Sequence, residues 1–134
     1  MLRTRIAGIA TATGPPTITF LITAQQAGKV TVRVTTKNFT IDARGVGKRA
    51  RAGRGHEHFV MDHGKYDRPK YSGANGRVAR RLGVAGRYSG SVDNTVTYRG
   101  LPKGRHSVTV LLVRNTHARY PNAGAQKTLT FTVK

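Results

Sequence analysis

The feature that most limits the fold is a period-two alternation of apolar residues, repeated in short runs between Gly and Pro. In "VTVRVTT" the residues Val30, Val32 and Val34 fall on one side of an extended chain, and Thr31 and Arg33 on the other. In "TLTFTVK" the residues Leu129, Phe131 and Val133 do the same. Successive side chains of a strand point to opposite faces, so each run reads as a strand with one buried face. Further runs are "TITFLIT" from Thr17, "NFTID" with Phe39 and Ile41 two apart, and "HEHFVMD" from His56. "TVTY" from Thr95 and "HSVTVLLV" from His106 complete the set, with Pro102 and Gly104 in a turn between them. About seven short strands is the count of an immunoglobulin-like sandwich. The expected fold class is all-β, a single Ig-like Greek-key β-sandwich. One helical candidate stands apart, near 74–84, where Val78 and Leu82 lie four apart on a short amphipathic turn.

A chain of 134 residues is most simply one domain, long enough to bury roughly two-thirds of its unfolded surface. The sandwich domain is expected over 15–134. Residues 1–14, "MLRTRIAGIATATG", have a basic start and a short apolar segment from Ile6 to Ala12. They read either as a flexible tail or as a truncated export signal. No stretch approaches the ~20 apolar residues of a membrane-spanning helix. The chain has no cysteine, which excludes disulfides and thiolate metal sites.

Charge is the next constraint. Twenty-four Lys and Arg stand against five acids, a net charge of +19. Such a chain is drawn to polyanions. The loop "ARGVGKRARAGRG" concentrates Arg44, Lys48, Arg49, Arg51 and Arg54, and Arg80 and Arg81 add a second cluster. Gly between Arg lets guanidinium groups follow a phosphate or sulfate backbone. These residues form the candidate surface for nucleic acid or acidic polysaccharide, with no sequence preference implied. Tyr66, Tyr71 and Tyr88 in the polar segment after Gly64 are candidate stacking platforms for bases.

The stretch "GRGHEHFVMDHG" poses the sharper question. In a regular strand His56 and His58 share a face with Val60 and Asp62, and Glu57 shares the other with Phe59 and Met61. Imidazoles two apart can converge on one ion, and neutral imidazole suits copper, zinc and nickel. The third ligand expected is His117, in the loop after the long strand that ends near Arg114. The competing reading makes the histidines surface residues held by hydrogen bonds, with Asp62 orienting His58. His106 precedes Val108, Val110 and Leu112 at even spacing, and is expected to cap the core at the start of its strand.

Taken in order, "GHEHFVMD", "YSGANGRVARRLGVAGRYS", "YRGLPKGRHSVTVLLVRNTH" and "AGAQKTLTFTVK" resemble a group of uncharacterised, exported bacterial Ig-like sandwich proteins. That group carries Gly-His-x-His with a following Asp, then Pro-x-Gly-x-His, then Asn-x-His. The resemblance runs from Gly55 to the C-terminus, and it implies an Ig-like fold and a secreted, periplasmic or cell-surface location. This chain departs from it in its basicity, and in Arg114 and Thr116, where neutral residues or Asn and Asp are usual.

Enzymatic signals are sparse. There is no cysteine nucleophile, no Gly-x-Ser-x-Gly elbow and no carboxylate pair. The pairs within reach for acid–base work are His58 with Asp62 and His56 with Glu57. The reading is a binding module, with copper or zinc on His56, His58 and His117, and polyanion binding by the basic surface as its alternative.

Overall fold

The computed structural model describes residues 14–26, 28–64 and 93–134. Seven strands occupy them: β1 (Thr17–Gln26), β2 (Lys29–Lys37), β3 (Thr40–Ile41), β4 (Arg54–Met61), β5 (Thr95–Arg99), β6 (Gly104–Val113) and β7 (Gln126–Val133). They form a three-stranded sheet in the order β1-β2-β5 and a four-stranded sheet in the order β3-β4-β6-β7. Every pairing is antiparallel except the short β3–β4 contact. The chain is an all-β sandwich, as its alternation predicts. The helical candidate at 74–84 and residues 1–13 lie outside the described residues.

Alternation explains the burial. Val30, Val32 and Val34 of β2 are buried, as are Val108, Val110 and Leu112 of β6. Phe59 and Met61 of β4 join them between the sheets, with Tyr98 from β5 and Phe131 and Val133 from β7. Fully burying a side chain of this size contributes about 1.5–3 kcal/mol, so the two inner faces supply the main driving force. β1 breaks the rhythm. Its register with β2 shifts between Ile18 and Phe20, and this irregularity lets Ile18 and Leu21, three apart, both turn inward. Phe20 and Ile22 are left exposed on the outer face.

Side-chain bonds tie the two sheets along one flank. Gln25 Nε2 donates to the Thr132 carbonyl at 2.7 Å, and Asn122 Nδ2 to the Pro16 carbonyl at 2.7 Å. For function the important pair is β4 with β6. Its register sets His56 opposite Val113 and Met61 opposite Val108. His56 thus lies where β6 runs out into the turn that carries His117. Gly55 makes this approach feasible, because a Cβ there would overlap the Val113 carbonyl.

Candidate metal centre

The strand brings His56 and His58 to one face, and the turn after β6 returns His117 to them. The Nε2 atoms of His56 and His58 are 3.2 Å apart. Ring centroids lie 4.7 Å apart for His56 and His117, and 5.7 Å for His58 and His117. One ligand nitrogen from each of the three falls within 4.8 Å of the others, so the cluster can hold a metal ion. Its members form a gradient of depth. His56 is fully buried, His58 is half-buried and His117 is exposed.

The local backbone is committed to this arrangement. His117 has φ 75, a left-handed conformation that a non-glycine residue adopts at a cost of order 1–3 kcal/mol and keeps only where its surroundings enforce it. The enforcing bonds are two. The His117 amide donates to the Arg114 carbonyl at 2.8 Å, and the Arg114 amide donates to the Ala118 carbonyl at 2.8 Å.

Asn115 anchors the turn from below. It is completely buried. Its side-chain Nδ2 donates to Asp42 Oδ2 and to the Arg49 carbonyl, both at 3.1 Å, and its backbone carbonyl accepts from the Gly47 amide at 2.8 Å. The connection from Asp42 to Gly53 is therefore fastened to the turn that carries His117. Gly45 is required where they meet, since a Cβ there would run into the Asp42 carboxylate and the Asn115 amide.

Burial sets the protonation of the two inner histidines. It pushes His56 down to about 4, helped by the neighbouring His117. It pushes His58 down to about 4, helped by His56 and His117. Both imidazoles are therefore neutral at pH 7, the form that binds metal. Between neutral imidazoles the 3.2 Å contact is a hydrogen bond when one Nε2 carries the proton and the other accepts it. His56 Nδ1 is buried with no hydrogen-bond partner among the described residues.

Two sequence-based expectations are corrected. Asp62 does not orient His58. Its carboxylate accepts from His106 Nδ1 at 2.8 Å and from the Ser107 amide at 3.0 Å. Asp62 sits at φ 51, just past the end of β4, and the reversal there aims its carboxylate at β6. Glu57 forms no acid–base pair with His56. Strand parity turns it to the opposite face, which is the core, where it is completely buried and both carboxylate oxygens lack a bonding partner among the described residues. Burial pushes its carboxyl up to about 8, with a contribution from the Asp93 charge.

His106 takes the structural place expected of it. It is buried, stacks on Phe131 at 5.8 Å, and is bonded through Nε2 to the Pro102 carbonyl at 2.6 Å as well as to Asp62. Among the basic candidates, Arg44, Lys48, Arg49 and Arg51 are exposed on the 42–53 connection. Arg54 is half-buried at the start of β4. Arg80, Arg81, Tyr66, Tyr71 and Tyr88 lie outside the described residues. Sequence reasoning missed Asn115 and Asp42 as supports, although the Asn-x-His pattern holds the first.

No family model, no curated protein and no solved structure matches this chain.

Proposed function

We propose that this protein is a non-enzymatic binding module that takes one divalent transition-metal ion, copper(II), on His56, His58 and His117. The observation that carries the reading is the convergence of three imidazoles, two of them held neutral by burial, at one end of a rigid strand pair. The 3.2 Å separation of the His56 and His58 Nε2 atoms fits the edge of a coordination shell. Metal–nitrogen bonds of about 2.0–2.1 Å place neighbouring ligands about 2.9 Å apart in the tetragonal geometry of copper(II) and about 3.3 Å apart in a tetrahedral one, and the observed separation lies between them. The other separations reach 4.8 Å at most, so the exposed His117 closes inward to complete the set. Imidazole ligands suit copper and zinc, and copper(II) stands above zinc in intrinsic affinity. Three protein ligands leave a further position open to solvent. The resemblance to exported sandwich proteins sets the module outside the cytoplasm in this reading.

Calorimetric titration of metal-stripped protein with copper(II) and zinc(II) tests it. Stoichiometric copper binding, tighter than zinc, is expected. In the His56→Ala/His58→Ala variant affinity drops at least about a thousandfold, beyond the ten- to hundredfold typical of a change outside the ligand shell. Because the two folded-state pKa values lie near 4, proton competition at His56 and His58 is nearly absent from pH 7 to about pH 5 and lowers copper affinity below that. Binding that the variant leaves unchanged contradicts the proposal.

A further inference from the structure

A metal ion held only by neutral imidazoles keeps its full charge. Among the described residues no carboxylate joins the cluster. Glu57 faces the core on the other side of the strand, Asp42 is engaged by Asn115, and Asp62 is engaged by His106. The surroundings add positive charge. Arg44, Lys48, Arg49 and Arg51 are exposed on the 42–53 connection, with no ion pair to any of them among the described residues.

That connection is held against the metal-bearing turn. Asn115, two residues before His117, is bonded to Asp42, Arg49 and Gly47. Its far end leads directly into β4, where Arg54 precedes His56 by two, and its near end follows β3, which pairs with that strand through Thr40–Arg54 and Ile41–Gly55. The cations and the histidines therefore belong to one corner of the molecule. Unpaired cations beside a dicationic centre weaken metal binding unless an anion completes the shell. Charge repulsion acts within the ~8 Å screening length at physiological salt.

We infer that the open ligand position takes a phosphate-type oxyanion, and that the cations of the 42–53 connection supply the rest of its binding site. This rests on the metal reading above. One anionic oxygen enters the metal's shell, replacing water, while guanidinium groups bind the remaining oxygens in their fork geometry. Four cations spaced along eight residues also suit successive phosphates of a phosphodiester chain.

The test uses the full chain, copper-free and copper-loaded, at about 0.15 M salt, where purely non-specific attraction is weak. Inorganic phosphate and a ten-residue oligothymidylate are titrated separately. Copper loading is expected to tighten binding of at least one of them about tenfold, and to change the copper(II) EPR spectrum as the anion enters. Response to phosphate alone assigns a free oxyanion, and response to the oligonucleotide assigns a phosphodiester chain. Either supports the inference.

The variant Arg44→Gln/Lys48→Gln/Arg49→Gln/Arg51→Gln keeps the anchoring bonds, because Arg49 offers Asn115 only its backbone carbonyl. It is expected to bind copper at least as tightly as the parent, and to lose the copper-dependent gain. For the oligonucleotide its salt slope drops by roughly 2 to 3, given about 0.7 per phosphate contact. Equal anion binding with and without copper overturns the inference alone, as does a variant that keeps the full gain. Failure of the parent protein to bind copper at all overturns the metal reading and this inference with it.

Discussion

Two buried histidines mark the two ends of the same strand pair, and they are partnered in opposite ways. At the Met61 end of β4, His106 is bonded through both ring nitrogens to acceptors, Asp62 at 2.8 Å and the Pro102 carbonyl at 2.6 Å. At the other end, His56 faces His58 and His117, and its Nδ1 is buried with no partner among the described residues. The first arrangement satisfies a histidine as a structural cross-link. The second brings together groups that compete for the same proton, and it leaves one buried ring nitrogen, His56 Nδ1, without a partner among the described residues. Burial alone does not separate a structural histidine from a ligand, whereas the chemistry of its neighbours does. An imidazole set among carbonyls and carboxylates is held by its protons. One set among imidazoles gains most from a shared cation.

The comparison breaks most clearly at its structural end. His106→Ala takes one of two partners from the Asp62 carboxylate, which is 20% exposed and keeps the Ser107 amide, and it frees the Pro102 carbonyl. The lost charge-assisted bond and the lost stacking on Phe131 together cost about 2–4 kcal/mol. Urea unfolding should show that loss, while copper affinity stays within about twofold of the parent. A fall in copper affinity comparable to that of the ligand variant would erase the distinction between the two ends.

Asn115→Ala sharpens the other end. It cuts the two side-chain bonds that fasten the His117 turn to the 42–53 connection, leaves Asp42 without its donor, and keeps only the backbone bond from the Gly47 amide. A change of this kind outside the ligand shell lowers metal affinity about ten- to hundredfold. It also costs stability, about 1–3 kcal/mol for the buried groups left unpaired. Calorimetry on the variant separates the two effects.

The smallest effect comes from the inner face of the same strand. The Glu57 carboxyl has its pKa raised from 4.5 to about 8 in the fold, so the folded state holds the proton more tightly than the unfolded chain. Stability from this group is fully present below pH 4.5, falls as pH rises, and is lost above about pH 8. His56 and His58 act in the opposite sense. Their lowered values mean that stability is lost as pH falls from 6.5 through about 4. Above pH 6.5 the carboxyl is the one of the three whose folded state is still titrating. Glu57→Gln removes its decline between pH 6.5 and 9, and leaves a net gain of about 1–2 kcal/mol at pH 9 after the unpaired amide is counted. Denaturant midpoints across that range check it, and parallel curves for variant and parent would contradict it.

Much of this was legible in the residues. Short apolar runs between Gly and Pro located all seven strands, and period-two alternation gave the buried face of most of them, with β1 the exception. Parity put His56 and His58 on one side, and chain direction brought His117 toward them. Parity did not say which side faces the core. Glu57 sits between two histidines, and the apolar Phe59 and Met61 that share its face outweigh its charge. The partner of Asp62 was also hidden, since it depends on a tight left-handed reversal that sends the carboxylate to β6. Asn115 reaches Asp42 across a separation of 73 residues, and no local pattern records such a contact. Its Asn-x-His spacing was visible, but not the work of its amide.

The most direct test of the central claim is continuous-wave and pulsed EPR of the copper(II)-loaded protein, which counts coordinated imidazole nitrogens. The account predicts three, falling to two in His117→Ala, with the fold intact by circular dichroism. A parent spectrum with one nitrogen or none, or one that His117→Ala leaves unchanged, would contradict it.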